Sequence, residues 1–238
     1  MVNIKNLSKS YGNKKAVNDI SFQVLPGEIF GFLGPNGAGK TTTIKMIVGL
    51  LEQDEGEIRI SGLDTRKDSL ETKRLFSYIP DSPELYPNLT GRAYLNFLAD
   101  VYGVSQEARD RAIARYSEVF AMEGAVDQFI SSYSHGMKQK IALMGALIHE
   151  PQILIMDEPM VGLDPKSSFR LKEIMRELCG QGKSVFFSTH VMEVAEQLCD
   201  RIAIIDRGKI IALGTMDEIR AQAQDQGSLE KIFLELTE

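Results

Sequence analysis

Residues 34–41 read Gly-Pro-Asn-Gly-Ala-Gly-Lys-Thr, which matches the phosphate-loop pattern G-x-x-x-x-G-K-[ST]. An apolar run precedes this stretch and a helical pattern follows it, which is the strand, loop and helix context that the pattern requires. The glycines allow successive N–H groups to turn toward one anion, and the start of a helix adds a positive dipole end. A plain glycine-rich turn is the alternative, and it would not need the flanking elements. The stretch therefore predicts binding of a nucleoside triphosphate.

The residues of this loop have different expected roles. Lys40 can reach the β- and γ-phosphates, and the hydroxyl of Thr41 can bind Mg²⁺. The candidate nucleotide contacts are Gly34, Pro35, Asn36, Gly37, Ala38, Gly39, Lys40, Thr41 and Thr42.

Composition and charge narrow the class of protein. The chain has 238 residues, of which 43% are hydrophobic and 25% charged, as expected for one large α/β domain or a domain with an insertion. A net charge of −6 lacks the basic excess of nucleic-acid binders, so we expect no nucleic-acid partner. The only cysteines, Cys179 and Cys199, form no disulfide framework or zinc pattern, which indicates a reducing compartment. We also expect no signal segment and no membrane span, because the longest apolar run, 141–148, is far shorter than the ~20 residues needed.

Hydrophobic periodicity predicts the organisation of the chain. Alternating or continuously apolar runs predict strands at 2–7, 16–24, 29–33, 57–60, 76–79, 153–156, 184–188, 201–205 and 209–213. Helical patterns at 93–101, 107–122 and 138–148 place a helical subdomain at 81–150, and further helices are predicted at 165–179, 191–198, 216–223 and 229–235. Alternation of strands and helices predicts an α/β fold with a mostly parallel sheet.

Chemistry-bearing side chains follow two of the predicted buried strands. Asp157 and Glu158 end the run 153–156, where parallel sheets bind their ligands. Asp157 is the expected Mg²⁺ ligand, and Glu158 can orient and deprotonate the attacking water. His190 follows the next strand and is expected at the same sheet edge, where it could donate a hydrogen bond to the γ-phosphate. Two solvated acids and a structural imidazole are the alternatives.

A third segment, Ser134-His135-Gly136, precedes a helical pattern and by itself predicts an ordinary helix cap or a second anion site. In chain order, the phosphate loop, this segment, Asp157-Glu158 and His190 resemble the motifs of the ATP-binding subunits of ABC transporters. That family's signature is usually Leu-Ser-Gly-Gly-Gln, and Ser134 holds its serine position 23 residues before Asp157. The resemblance covers the whole chain.

The resemblance implies a single P-loop NTPase domain over 1–238, with an N-terminal antiparallel β part and the helical subdomain 81–150. It implies ATP and Mg²⁺ as ligands and a dimer, homo- or heteromeric, that hydrolyses two ATP at its interface. Glu158 and His190 would be catalytic, and Tyr11 would stack on the adenine. Ser134, Gly136 and Asp164 would contact the ATP site of the second nucleotide-binding domain.

The family also implies a separate membrane-spanning transporter subunit, which would hold this chain at the cytoplasmic face of the cell membrane. The ending of the chain, Gly214-Thr215 and then 229–236, resembles the branch associated with drug, lipid or ion export. The segment 81–92 is the predicted docking surface for the membrane subunit, since it is apolar at Leu85, Tyr86 and Leu89.

Three positions depart from the family pattern. Asp81 stands where the family places a glutamine, so a carboxylate would face Mg²⁺ without the amide's donors. His135 replaces a glycine of the signature, and Met137 replaces its glutamine. Two alternatives remain beside a transport ATPase, and the three departures favour only the second of them. One is a soluble ABC-type ATPase acting on nucleic acid or the ribosome, and the other is a regulatory switch that turns ATP over slowly.

Overall fold

The computed structural model describes residues 1–223 and 229–237. Within these ranges the strands are β1 Val2–Tyr11, β2 Lys14–Val24, β3 Ile29–Leu33, β4 Glu55–Ile60, β5 Leu63–Asp64, β6 Phe76–Ile79, β7 Ile153–Asp157, β8 Ser184–Thr189, β9 Arg201–Asp206 and β10 Lys209–Gly214. The helices are α1 Lys40–Ile47, α2 Ser69–Lys73, α3 Gly91–Val101, α4 Gln106–Phe120, α5 His135–Leu147, α6 Pro165–Gly180, α7 Met192–Leu198, α8 Met216–Ala223 and α9 Leu229–Thr237. A 3₁₀ turn, Ile130–Ser132, precedes α5.

The main sheet has the strand order β10-β9-β3-β8-β7-β6, and only the edge pair β9–β10 is antiparallel among its described strands. Every residue of β3, β7 and β8 is buried, because layers of the fold cover both faces of these strands. Parallel pairing brings the carboxyl ends of β3, β6, β7 and β8 to one edge of the sheet. The structure thus confirms the predicted α/β class with a mostly parallel sheet.

A second sheet, with the order β2-β1-β4-β5, is antiparallel and forms the N-terminal β part. Its strand β2 does not alternate regularly, since the buried residues Val17 and Ile20 are three positions apart. The pairing with β1 is irregular there, and Asp19 has a φ of +54°. Such a bulge rotates the strand by one residue and returns Ile20 to the core face.

The space between the two sheets is filled by large apolar side chains. Phe22 from β2 stacks on Phe30 and Phe32 from β3, with ring centroids 5.5 and 5.3 Å apart. Phe186 from β8 lies 5.9 Å from Phe22 and completes the aromatic group. These offset ring contacts hold the N-terminal sheet on the strand that leads into the phosphate loop.

Helices α3, α4 and α5 follow β6 and precede β7 in the chain. Their apolar side chains share a core with the face of the main sheet that is turned away from the N-terminal sheet. Side-chain oxygens of Thr90, Ser105 and Ser134 cap the three helix starts by accepting backbone N–H groups. Helix α5 begins at His135, three residues before the predicted start, because Ser134 provides its cap.

Two short elements, β5 and α2, had no strand or helix pattern long enough to predict them. In the described part of the chain, no helix combines the length and the apolarity that a membrane crossing needs. The export-type ending at 229–236 falls on α9, and its last three side chains lie outside the described part.

Candidate functional site

The phosphate loop leaves β3 at the centre of the sheet and enters α1. Gly39 is the residue before α1 and has a φ of +114°; a Cβ there would lie 2.5 Å from the carbonyl oxygen of Ala16. Gly34 is equally confined, since a Cβ would lie 2.2 Å from the carbonyl oxygen of Ile205. No side chain caps the start of α1 and its first turn carries no acidic residue. The backbone N–H groups of this first turn can therefore bind an anion.

Lys40 lies inside this loop and is 6% exposed. Its ammonium donates hydrogen bonds to the carbonyl oxygens of Gly34, at 2.7 Å, and Pro35, at 3.3 Å. The same Nζ lies 3.4 Å from Oε1 of Glu158. The lysine is therefore held by neutral carbonyls and one carboxylate, all of which a phosphate could replace as partners.

Asp157 ends β7 and is 1% exposed. Its Oδ2 accepts a hydrogen bond of 2.6 Å from the Thr41 hydroxyl, and its Oδ1 accepts one from the Ser188 hydroxyl. Both carboxylate oxygens therefore have hydroxyl donors. This arrangement joins the phosphate loop, β7 and β8 at the edge of the sheet.

Glu158 follows Asp157 in the left-handed region, with a φ of +49°. This turn directs its side chain toward Lys40 and His190 rather than continuing the strand alternation. Oε1 lies 3.0 Å from Nδ1 of His190 and 3.4 Å from Lys40 Nζ. Neither contact has hydrogen-bond geometry, so this buried oxygen accepts no hydrogen bond from the described residues. Glu158 thus keeps an accepting position between two nitrogen donors.

A cleft of about 330 Å³ opens beside Lys40, Thr41 and Glu158, whereas Asp157 and His190 do not line it. Tyr11, from the end of β1, lies at one side of it with 53% of its surface exposed. Asp81, just after β6, also lines the cleft, and its carboxylate accepts the backbone N–H of Ser82 at 2.8 Å. The other predicted residues that line it are Pro35, Asn36, Gly37, Gly39, Lys40, Thr41, Thr42 and Glu158.

The Thr41 hydroxyl and the Asp157 carboxylate offer oxygen ligands of the kind that Mg²⁺ prefers. Among the described residues, no group of three or more His, Cys, Asp and Glu side chains is arranged to hold a metal ion. Thr41 and Asp157 would hold a Mg²⁺ ion here as part of its shell, and the ion would supply positive charge beside a bound phosphate. Burial and the charges of Asp157 and Asp81 also raise the pKa of Tyr78, which lies behind this edge on β6.

Ser134, Gly136 and Asp164 lie outside the cleft and form a unit of their own, which we call the signature unit. A Cβ on Gly136 would lie 2.8 Å from the carbonyl oxygen of Gly162, so the start of α5 touches the loop before α6. Asp164 forms a 2.8 Å ion pair with Lys140 and accepts hydrogen bonds from the N–H and hydroxyl of Ser167. The Lys140 contact, followed by those of Ser167, holds the pKa of Asp164 well below its usual range.

His135 contacts the same loop. A Cβ on Gly162 would lie 2.5 Å from Cδ2 of the imidazole, so the ring that replaces the family's glycine lies over this backbone. The sequence predicted that the signature unit faces another chain. Within this chain the unit is assembled, and none of Ser134, Gly136 and Asp164 lines the cleft.

Sequence reasoning missed two residues of the site. Lys140 carries the ion pair of the signature unit, and its place one helical turn after Gly136 was the available signal. Ser188 pairs with Asp157 across β7 and β8, and it stands two residues before His190. The contact between Ser188 and Asp157 depends on the strand order, because the sequence does not specify which residue of β8 lies opposite Asp157.

Comparisons with known proteins identify the family of the chain. A family model described as "ABC transporter" matches residues 17–161. The chain is 43% identical over 220 residues to the linearmycin resistance ATP-binding protein LnrL of Bacillus subtilis (strain 168), which covers 92% of this chain and 70% of LnrL. It is 38% identical over 213 residues to the Nod factor export ATP-binding protein I of Burkholderia orbicola (strain AU 1054), with 90% of this chain and 70% of that protein covered.

Solved structures are similar over nearly the whole fold. An ATP-binding subunit of an ABC transporter superposes with a TM-score of 0.96 at 37% identity, and all of both chains is covered. A dimeric ATP-binding cassette in a post-hydrolysis state, bound to ADP and Pi, superposes with a TM-score of 0.82 at 26% identity. That match covers 91% of this chain and 99% of the cassette.

Proposed function

The chain belongs to the ABC transporter family as one of its ATP-binding, ATP-hydrolysing subunits, and we propose that two such subunits close around two ATP to drive export. Family membership confirms the resemblance read from the motifs. The site assignment rests on contacts at one edge of the main sheet. There Glu158 lies beside Lys40 and His190, and Thr41 donates to Asp157, next to a cleft of about 330 Å³.

ATP would enter the cleft with its phosphates on the loop Gly34–Thr42. Lys40 would exchange its carbonyl partners for the β- and γ-phosphates, since charge-assisted contacts to phosphate are the stronger ones. Tyr11, which is half exposed at the side of the cleft, would stack on the adenine ring. Thr41 and Asp157 would hold Mg²⁺, and Asp81, just after β6, would face the ion. When bound, Mg²⁺ would neutralise charge on the β- and γ-phosphate oxygens.

Hydrolysis needs a positioned water and an acceptor for its proton. Glu158 offers a buried carboxylate oxygen with no hydrogen-bond donor among the described residues. Once Lys40 turns to the phosphates, this oxygen would orient the water and take its proton as the water attacks the γ-phosphorus. The bond from the γ-phosphorus to the β–γ bridging oxygen would break, and ADP and phosphate would leave. His190, 3.0 Å from the same oxygen, would keep the carboxylate in place and donate to the γ-phosphate.

The signature unit supports a shared site. Ser134 caps the start of α5, where helix N–H groups can bind an anion, and the unit does not line the cleft of its own chain. We propose that the unit covers the ATP of a second nucleotide-binding domain, with Ser134 and Gly136 on the γ-phosphate and Asp164 beside them. ATP would then join the two domains and its hydrolysis would release them.

The names of two relatives, a resistance protein and an export protein, support the proposal of export by a membrane-spanning subunit. The segment 81–92 is the proposed docking surface, where Tyr86 is 55% exposed and packs edge-on against Phe97 of α3, with centroids 5.9 Å apart. Domain closure would pull on this contact from the cytoplasmic face of the membrane.

Two variants test the catalytic assignment. Glu158→Gln keeps the size of the side chain and removes its basicity, so turnover should fall by about 100-fold or more while ATP binding persists. This variant should also accumulate an ATP-bound dimer on size-exclusion chromatography. Lys40→Ala should lose nucleotide binding, and Glu177→Gln, an exposed acid on α6, serves as the control. Turnover near the wild-type rate in Glu158→Gln would reject the general-base role.

A separate experiment tests the membrane partner. The tagged chain, purified from membranes of its own host in mild detergent, should retain a protein with several spanning segments. Tyr86→Ser combined with Phe97→Ser should abolish that association without changing the ATPase rate of the free subunit. Recovery of no multi-span protein would reject the transport partner, whereas salt-sensitive recovery of RNA would favour the nucleic-acid alternative.

A further inference from the structure

We propose that Ser188 is a positioning residue that sets the two acids of the site relative to one another. The inference rests on the proposed roles of Asp157 and Glu158 and adds a third member to that pair. Ser188 is fully buried near the end of β8 and does not line the cleft, so it acts through its neighbours rather than on ATP.

The single hydroxyl of Ser188 has two partners. It donates its proton to Oδ1 of Asp157, and its oxygen accepts the backbone N–H of Glu158 at 3.1 Å. The carbonyl oxygen of Ser188 lies 3.2 Å from the same N–H. One residue of β8 therefore binds the side chain of one acid and the backbone of the next.

These contacts determine where both carboxylates point. The hydroxyl bond to Oδ1 leaves Oδ2 of Asp157 facing the Thr41 hydroxyl, at the position proposed for Mg²⁺. The bond to the N–H of Glu158 stabilises a left-handed conformation, with a φ of +49°, that is strained for a residue with a side chain. Without the hydroxyl, Asp157 can rotate and Glu158 keeps only the backbone contact.

Ser188 also stands two residues before His190 on the chain. A shift of β8 relative to β7 would therefore change the position of His190 relative to the two acids. Loss of the hydroxyl should lower the rate of the chemical step and the contribution of Mg²⁺ more than the affinity for the nucleotide itself.

The matched control lies on the same strand. Ser184, at the other end of β8, is also fully buried, and its hydroxyl donates to the carbonyl oxygen of Leu25 at 2.7 Å. Ser188→Ala and Ser184→Ala remove the same atom from the same strand. Only Ser188→Ala removes a hydroxyl that contacts the two acids. A larger loss of activity in this variant than in Ser184→Ala would therefore come from lost positioning of the acids and not from lost packing of β8.

The experiment uses the full chain and measures steady-state ATPase kinetics together with calorimetric ATP binding in Mg²⁺ and in EDTA. Ser188→Ala should lower kcat by about ten-fold or more, as loss of a group that orients a metal ligand commonly does. Its affinity for ATP in EDTA should stay within about two-fold of wild type, while the gain in affinity on adding Mg²⁺ shrinks. Ser188→Thr, which keeps the hydroxyl, should restore kcat.

Equal kcat values for Ser188→Ala and Ser184→Ala would overturn the positioning role. So would a Ser188→Thr variant that unfolds at the wild-type temperature but turns over as slowly as Ser188→Ala. If Ser188→Thr unfolds early, the comparison of the two alanine variants decides. Failure of the proposed function would look different, because Glu158→Gln would then leave turnover unchanged whatever the Ser188 variants do.

Discussion

Acidification should destabilise this fold through His149, which lies beside the proposed docking surface at the end of α5. Its ring stacks in parallel on Tyr102, with centroids 3.6 Å apart, and its Nε2 lies 3.3 Å from the Ser77 hydroxyl. Nδ1 is buried with no hydrogen-bond partner in the described part of the chain. Burial, reinforced by the charge of Lys183, lowers the pKa of His149 from 6.5 to about 4.

The sign of the effect follows from proton binding. The unfolded chain takes up a proton at pKa 6.5 and the folded chain only near 4, so stability is complete above pH 6.5 and is lost as the pH falls between these values. At pH 5.0 the full shift corresponds to about 2 kcal/mol of unfolding free energy. Because the ring is not wholly buried, water screens part of the charge, and we expect a loss of about 1 kcal/mol.

The measurement is urea unfolding at pH 7.5 and 5.0 for wild type and His149→Gln. The glutamine variant loses the ring contacts at both pH values, so only the change between them is diagnostic. Wild type should lose about 1 kcal/mol more than the variant on acidification. If the two proteins lose equal stability, burial does not exclude the proton from His149 and the reasoning fails.

Three further predictions concern the core, the loop and the signature unit. Phe186→Ala should lower the free energy of unfolding by about 3–5 kcal/mol, since the ring is 1% exposed in the aromatic group; a loss below 1 kcal/mol by denaturant titration would contradict this. Gly34→Ala should weaken ATP binding by about ten-fold or more in a fluorescence titration, because its Cβ would displace the loop from Ile205. If Gly34→Ala binds ATP with wild-type affinity, the loop accommodates the added methyl group and the prediction is wrong. Lys140→Ala should change stability by less than about 1 kcal/mol, since Asp164 is half exposed. It should nonetheless weaken the ATP-driven dimer of Glu158→Gln on size-exclusion chromatography, and an unchanged dimer would count against the signature unit.

Much of the fold could be predicted from the sequence because its signals are local. The apolar runs at 153–156 and 184–188 coincide with buried parallel strands, and the phosphate loop identified the strand, turn and helix around it. The bulge at Asp19 was not predicted, because a φ of +54° in an aspartate depends on pairing with a strand that the pattern does not specify. The early start of α5 follows from a cap, which periodicity does not detect.

The site divides in the same way. Lys40, Asp157 and Glu158 were identified as candidates because each follows or ends a pattern that can be read along the chain, and their roles remain predictions. The two donors on Asp157, the left-handed turn at Glu158 and the Lys140–Asp164 pair depend on which strands and helices are neighbours. Such contacts join residues far apart in sequence and become visible only when the chain is folded.

The position of the signature unit outside its own chain's cleft has a genetic consequence. In a homodimer of the proposed kind, each ATP site would take its loop from one copy and its signature unit from the other. A Lys40 defect in one copy and a Ser134 defect in the other would then fall on the same site and leave the second site whole. Both defects in one copy would damage both sites. Two inactive alleles should thus complement each other in trans, whereas the double mutant should be dominant over wild type.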